Sequence, residues 1–314
     1  MQNFQKNHAA GSIDFIHPLP IGHCLNEFEI EEVIGTSRGS IMYRVWDHHL
    51  KQDIAIKEYM PFSFVIRRQD MKLKLRGEEL ENRFYTGLQN FIREAHFMSC
   101  FEHPCLPCFL RFWQQNCTAY IATPFYKGMT LNKLGIKHSH LINENWLCRI
   151  LFPLLDALDA LHQKNYLHCD ISLDNILIQD NQSPILLDFG STHKTTKCLS
   201  DDTEITIRSG FTPVEQYTAN EKNQQGPWTD IYALGAVLYT LILGNPPPVS
   251  IVRNLKDCYQ PLIKLRPTGY SLSFLHAIDI ALAINPSERP QSISEFIAIF
   301  PTIPTQSKPV PTNS

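Results

Sequence analysis

Two acids and an amide are spaced so that they can share a task. Asp170 lies in His168-Cys169-Asp170-Ile171-Ser172-Leu173-Asp174-Asn175, and the apolar run Ile176-Leu177-Ile178 follows. Leu186-Leu187 then leads into Asp188-Phe189-Gly190. A tight loop and a short hairpin bring Asp170, Asn175 and Asp188 to one place. Two of the three can hold Mg²⁺, which takes oxygen ligands and also binds substrate phosphates. The free carboxylate can then accept a proton from an attacking hydroxyl.

Other elements must position these groups. Phe28 to Gly35 alternates like a strand, Thr36 to Ser40 is a turn of mostly small residues, and Ile41 to Trp46 resumes the strand. Such a hairpin tip can bring backbone N–H groups close to phosphates. Asp53 to Tyr59 is a third strand, with Lys57 late in it. Residues 60–80 are mixed and basic and read as an insertion or a solvated face. Phe84, Leu88, Phe91, Ala95 and Met98 recur at helical spacing, and the helix carries Glu94. Strands are predicted over 109–113 and 118–122, with a connection over 123–128. A helical stripe (Trp146, Ile150, Leu154, Leu158, Leu161) precedes the Asp170 loop; Pro153 within it should kink the helix or mark an early turn. A buried helix is predicted from Trp228 to Leu243, with surface helices around 272–283 and 292–300.

The chain has 314 residues, enough for two packed lobes. Its net charge of -3 provides no face-wide basic excess, which argues against a general nucleic-acid binder. The longest apolar run, Ile231 to Leu243, falls short of the roughly 20 residues a membrane span needs. Nine cysteines without regular spacing or a secretory leader fit a cytoplasmic protein with free thiols. Cys105-Leu106-Pro107-Cys108 lacks a second pair, so both thiols read as packing rather than zinc ligands.

The residues around Asp170 resemble the catalytic loop of the protein kinases. Ile54-Ala55-Ile56-Lys57 is similar to the kinase lysine strand, and Asp188-Phe189-Gly190 to the metal-binding motif. Downstream, Thr212-Pro213-Val214-Glu215, Asp230-Ile231-Tyr232-Ala233-Leu234-Gly235 and Pro286-Ser287-Glu288-Arg289-Pro290 each resemble a later kinase motif. Lys57-Glu58-Tyr59-Met60-Pro61 and Gly226-Pro227-Trp228-Thr229 are similar to one branch of eukaryotic-like bacterial serine/threonine kinases. The resemblance implies an α+β, two-lobed protein-kinase-like fold: a small β-rich N-lobe with one main helix and a larger, mainly helical C-lobe. It implies a lead-in over 1–24, a kinase domain over 25–300 (N-lobe 25–123, hinge 124–128, C-lobe 129–300) and a disordered proline-rich tail over 301–314.

The same resemblance assigns roles. ATP and Mg²⁺ would bind between the lobes. Asp170 would orient and deprotonate the acceptor hydroxyl. Lys57 would hold the α- and β-phosphates and pair with Glu94, while Asn175 and Asp188 would hold the metal. Gly35, Ser37, Gly39 and Ser40 would form the phosphate loop, although the glycine pattern there is incomplete. Met42, Ala55 and Leu177 would sandwich adenine, Thr123 would be the gatekeeper, Pro124 would offer a carbonyl and Tyr126 an N–H. Glu215 would pair with Arg289, Asp230 would accept backbone N–H groups of the catalytic loop, and His168 would pack under Phe189.

Two departures bear on mechanism. Cys169 stands where the pattern has arginine, so no arginine-to-phosphate switch is expected. Activity should then survive joint alanine replacement of Thr195, Thr196, Ser200, Thr203, Thr206 and Ser209. Ser172 stands where the pattern has a lysine that touches the γ-phosphate; Lys194, Lys197 or Arg208 is the candidate replacement. The implied function is ATP- and Mg-dependent phosphorylation of protein serine or threonine hydroxyls, with docking through the proline-rich tail. The alternatives are a pseudokinase acting as an interaction module and a small-molecule kinase.

Overall fold

The structure is a computed structural model that describes residues 18–37, 39–194, 207–217 and 224–300. Period-two patterning makes its first elements strands. They are β1 (Cys24–Leu25), β2 (Phe28–Thr36), β3 (Ser40–Asp47) and β4 (Gln52–Tyr59), followed by the hairpin β5 (Val65–Arg67) and β6 (Leu73–Leu75). Helix α1 (Glu81–Ser99) comes next, then β7 (Arg111–Gln115) and β8 (Thr118–Pro124). Six of these strands form one antiparallel sheet in the order β1-β2-β3-β4-β8-β7.

Packing divides the chain into two units: residues up to Ile92 with Phe109–Phe125, and Arg93–Cys108 with residues from Tyr126 onward. The sequence reading drew the lobe border at 123 and kept all of α1 on one side. The C-terminal part of α1 instead packs within the second unit. Phe97 lies 4.9 Å from the Tyr166 ring and 5.2 Å from that of Phe189, and the Leu186 N–H donates to the Cys105 carbonyl.

In the first unit, register puts Tyr43, Ile56, Glu58 and Tyr120 on one face of the sheet. The Tyr43 and Tyr120 hydroxyls donate to the Glu58 carboxylate at 2.7 and 2.9 Å, and Arg67 of β5 pairs with it at 2.6 Å. Burial, with the neighbouring carboxylate, pushes both phenols well above their usual range. The basic stretch is therefore only partly solvated: Arg68 is exposed, but the Arg67 side chain is only 3% exposed. A buried carboxylate demands such partners, and the β5–β6 hairpin delivers one.

The second unit contains β9 (Gly128–Thr130), α2 (Leu131–Lys137), α3 (Glu144–Gln163), β10 (Tyr166–Leu167), β11 (Ile176–Gln179), β12 (Pro184–Leu186) and β13 (His193–Lys194). These are followed by α4 (Pro227–Leu243), α5 (Ser250–Leu255), α6 (Leu262–Leu265), α7 (Leu272–Ala281) and α8 (Ile293–Ile299). Asn143 caps α3 by accepting the Trp146 N–H at 3.1 Å. The helix continues through Pro153, because Leu147, Ile150, Leu151, Leu154 and Leu158 are buried on both sides of it. That burial outweighs the roughly 3 kcal/mol an interior proline costs.

Helix α4 starts on Pro227 and ends at Gly244, which adopts φ 79° as a left-handed cap. Its Gly235 lets α7 approach closely, since a Cβ there would lie 2.9 Å from that of Ala281. Helix α7 buries Phe274, Leu275, Ala277, Ile278 and Ala281 on one face and leaves Leu272, Ser273 and His276 exposed on the other. Among the described residues, no helix is long and apolar enough to cross a membrane. The proline-rich tail, Lys197 and the hydroxyl residues Thr195, Thr196, Ser200, Thr203 and Thr206 lie outside the described residues.

Candidate active site

The loop between β10 and β11 carries Asp170 and Asn175. The Asn175 amide donates to the Asp170 carbonyl and to its Oδ2, both at 2.8 Å. That leaves the side-chain amide oxygen, Oδ1, as the Asn175 acceptor of the kind a hard cation takes. Asp170 itself is buried, at 5% exposure.

Asp230, at the start of α4, holds this loop from below. Its carboxylate accepts the backbone N–H groups of His168 and Cys169 at 2.9 Å each, and a bond from His162 at 2.8 Å. Burial alone would raise its pKa; the His162 bond and backbone donors outweigh that and hold it below the usual carboxylate range. Cys169 adopts φ 61°, a left-handed conformation that costs a non-glycine residue roughly 1–2 kcal/mol. The bonds to Asp230 offset that cost. Gln216 donates to the Cys169 carbonyl at 2.9 Å, and the Cys169 thiol reaches Gln225 at 3.4 Å. Burial pushes this thiol far above its ordinary range, so it stays neutral.

His168 ties the loop to the second acid. Its Nδ1 accepts the Asp170 N–H at 3.3 Å and its Nε2 donates to the Leu187 carbonyl at 3.2 Å, an arrangement that requires the neutral ring. The Leu187 N–H donates to the Asn175 carbonyl at 2.7 Å. Asp188, next in the chain, adopts φ 61°, and Phe189 packs against His168 with ring centroids 5.1 Å apart. Glu94 is buried beside this turn: a Cβ on Gly190 would lie 3.7 Å from its carboxylate. Leu177 sits on β11 between Ile185 and Thr130.

One partner of Asp170 comes from far along the chain. The Arg208 Nε donates to Oδ1, and its Nη2 donates to Oδ2 at 2.8 Å. The bond to Asp170, against the opposing effect of partial burial, raises the Arg208 pKa above its ordinary value, and the Asp188 and Asp174 charges add to it. Sequence reasoning named Arg208 only as one of three candidate cations. Ser172 is 2% exposed, and its hydroxyl has no partner among the described residues.

The remaining expected site residues lie in the first unit, apart from Tyr126. Strand register sets Met42 opposite Lys57 and Ala55 opposite Thr123, which places all four on one sheet face, opposite the Glu58 network. The Lys57 ammonium stands 5.9 Å from the Phe91 ring centre. Pro124 ends β8 opposite Ile54. Gly35 pairs with Met42 beside a bulge. The Ser37 N–H donates to the Ser40 carbonyl at 2.8 Å, and the Ser40 N–H to the Ser37 hydroxyl at 3.1 Å. Those two N–H groups thus close the turn itself, and Gly39 accepts the Met60 N–H at 2.8 Å. In the second unit, the Tyr126 hydroxyl accepts the Cys108 N–H at 2.8 Å. Cys105 is buried as expected of a packing residue, whereas Cys108 is exposed.

The frame extends to Glu215 and Arg289. Their side chains, both 0% exposed, pair at 2.7 and 3.2 Å, and the Thr229 hydroxyl donates to Glu215 at 3.0 Å. Sequence reasoning missed His162, Gln216 and Gln225, because a polar residue on a helix or turn carries no local sign of a distant partner.

The family described as protein kinase domain matches residues 28–297. The chain is 24% identical over 289 residues to serine/threonine-protein kinase PknB of Mycobacterium leprae, covering 88% of this chain and 43% of that protein. It is 26% identical over 230 residues to serine/threonine-protein kinase PLK4 of Drosophila yakuba, covering 72% of this chain and 27% of that protein. The chain thus spans less than half the length of these two curated relatives. A solved structure described as the apo form of PpkA-294 is 51% identical, with a TM-score of 0.82, and covers 90% of this chain and 99% of its own.

Proposed function

This chain belongs to the protein kinase family, and from that premise we propose that it transfers the γ-phosphoryl group of ATP to serine or threonine hydroxyls of proteins. The observation that carries the reading is the loop at Asp170. A buried carboxylate, an amide oxygen and a second acid are tied together by His168, Leu187 and Asn175.

In this reading Asp170 orients the acceptor hydroxyl and takes its proton. Asn175 and Asp188 offer oxygen donors, the ligand type that suits Mg²⁺. When bound, that ion neutralises charge on the phosphates. Lys57 supplies positive charge to the α- and β-phosphates, with Glu94 as its partner. Met42, Ala55, Thr123 and Leu177 present the apolar surface for adenine, Pro124 and Tyr126 the backbone groups for its edge, and the turn Gly35–Ser40 covers the phosphates. Positioning and electrostatics provide most of the catalysis. The protein substrates, with docking through the proline-rich tail and a cytoplasmic location, complete the proposal.

The test is incubation with Mg·ATP followed by mass spectrometry with site mapping. Phosphate on serine or threonine, lost in Asp170→Ala and Asp188→Ala, supports the reading. Nucleotide binding without transfer, or transfer only to a small alcohol, would refute it.

A further inference from the structure

The catalytic loop lacks a cation of its own. Position 172 holds a serine whose buried hydroxyl is unpartnered among the described residues. Arg208 lies well beyond the loop in the chain, yet its guanidinium forks onto both oxygens of Asp170. Its backbone is pinned as well. The Arg208 N–H donates to the Thr212 hydroxyl at 2.8 Å, and its carbonyl accepts the N–H groups of Phe211 and Thr212 at 3.0 Å each. Thr212 is in turn held by the buried Ser250, whose hydroxyl donates to its carbonyl at 2.7 Å. The contact is built from three successive anchors, and a solvated arginine that had drifted onto a carboxylate would lack them.

We infer that Arg208 is a positioning residue for phosphoryl transfer: it fixes the Asp170 carboxylate and supplies the positive charge that Ser172 does not. This inference rests on Asp170 being the proton acceptor proposed above.

Counting acceptor sites shows that the contact leaves Asp170 able to work. A carboxylate offers about four lone-pair sites. The Arg208 Nε occupies one on Oδ1; the Arg208 Nη2 and the Asn175 amide occupy two on Oδ2. One site on Oδ1 remains for the acceptor hydroxyl. Arginine carries five N–H donors, of which Asp170 takes two; the others have no acceptor among the described residues and can meet an anionic substrate. The guanidinium also lies in the field of Asp174 and Asp188, so it balances three acids at once. The bidentate plane fixes the direction of the free lone pair, which a single-point cation would not do.

The test measures kcat and the KM for ATP with the full chain, Mg·ATP and dephosphorylated casein as acceptor. The variants are Arg208→Gln, Arg208→Lys, Arg208→Gln combined with Ser172→Lys, and Asp170→Ala. Arg208→Gln should lower kcat about tenfold to a hundredfold, as loss of one charge-assisted contact does, with KM for ATP within about twofold. Arg208→Lys should lose less, because charge remains while the planar fork is gone. Adding Ser172→Lys to Arg208→Gln should recover about tenfold, since it restores a cation from the loop side. Should Arg208→Gln fail to fold, the Arg208→Lys variant with and without Ser172→Lys makes the same comparison.

An Arg208→Gln enzyme as fast as the wild type, or faster, would overturn the inference; the faster case would make the contact an inhibitory clamp. A loss relieved by neither lysine substitution would mark Arg208 as a structural anchor and overturn it too. Full activity in Asp170→Ala would instead remove the proton-acceptor reading, whatever Arg208 does.

Discussion

Replacing Asp230 by asparagine should uncouple the catalytic loop from α4 while changing hardly any volume. The carboxylate accepts three bonds: His162 and the His168 N–H on Oδ2, and the Cys169 N–H on Oδ1. Asparagine keeps one acceptor oxygen. With that oxygen toward His162 and His168, its NH₂ group meets the Cys169 N–H, donor against donor. The variant then loses a charge-assisted bond, worth about 1.5–3 kcal/mol, and leaves a buried N–H unmet, at about 1–3 kcal/mol. Relief from burying a charge offsets part of this, so a net loss of about 3 kcal/mol is expected. A typical domain holds about 5–15 kcal/mol, so the variant should fold with a clearly lowered urea midpoint. Cys169 would also lose the bond that offsets its left-handed backbone, and Asp170 follows it directly. A displacement of Asp170 by about 1 Å should cost roughly a hundredfold in transfer rate. Equilibrium urea unfolding and the phosphotransfer assay measure the two effects. A variant within about 0.5 kcal/mol of wild type, with normal transfer, would refute the argument that Asp230 holds the loop.

Three further outcomes follow from buried groups. Burial lowers the His168 pKa from its ordinary 6.5, although Asp230, Asp170 and Asp188 pull the other way. The fold therefore holds His168 neutral, and its stabilising contribution is complete above that ordinary value and declines as pH falls below it, by at most about 1.4 kcal/mol per unit. His168→Phe, less stable at neutral pH, should show a shallower decline on acidification, and an unchanged slope in pH-dependent unfolding would count against this. Arg67→Met should destabilise the first unit by about 3–5 kcal/mol, because Glu58 is left buried without its cation, and Glu58→Gln in the same background should recover part of that in thermal unfolding. Glu215→Gln should cost about 3–5 kcal/mol by leaving Arg289 buried and unpaired, so a midpoint equal to the wild type in urea would contradict the pairing.

Much of the strand and helix layout was legible because burial imposes a local period. Alternation marked β2 and its strand neighbours, the 3.6-residue repeat marked α1 and α3, and an unbroken apolar run marked α4. How closely α7 packs was not legible, since only the structure shows a Cβ on Gly235 of α4 meeting Ala281 at 2.9 Å. Pro153 misled, since propensity opposed a helix that burial enforces. The border within α1 was not legible either: one continuous helix shows one period, and only the ring contacts of Phe97 reveal that its end packs with Tyr166 and Phe189.

By itself the sequence determined which groups could do chemistry: Asp170, Asn175 and Asp188 are joined by a loop and hairpin too short to let them separate. It also determined that the loop lacks a cation, because Cys169 and Ser172 stand where charges were expected. Tertiary structure alone decided where the partners of the buried carboxylates come from. Arg208 reaches Asp170, Arg67 reaches Glu58, and His162 reaches Asp230. Each pairing joins residues with no shared local period, so it depends on where folding carries two distant backbones. The reason is electrostatic: a carboxylate enters the interior only where packing supplies its donors.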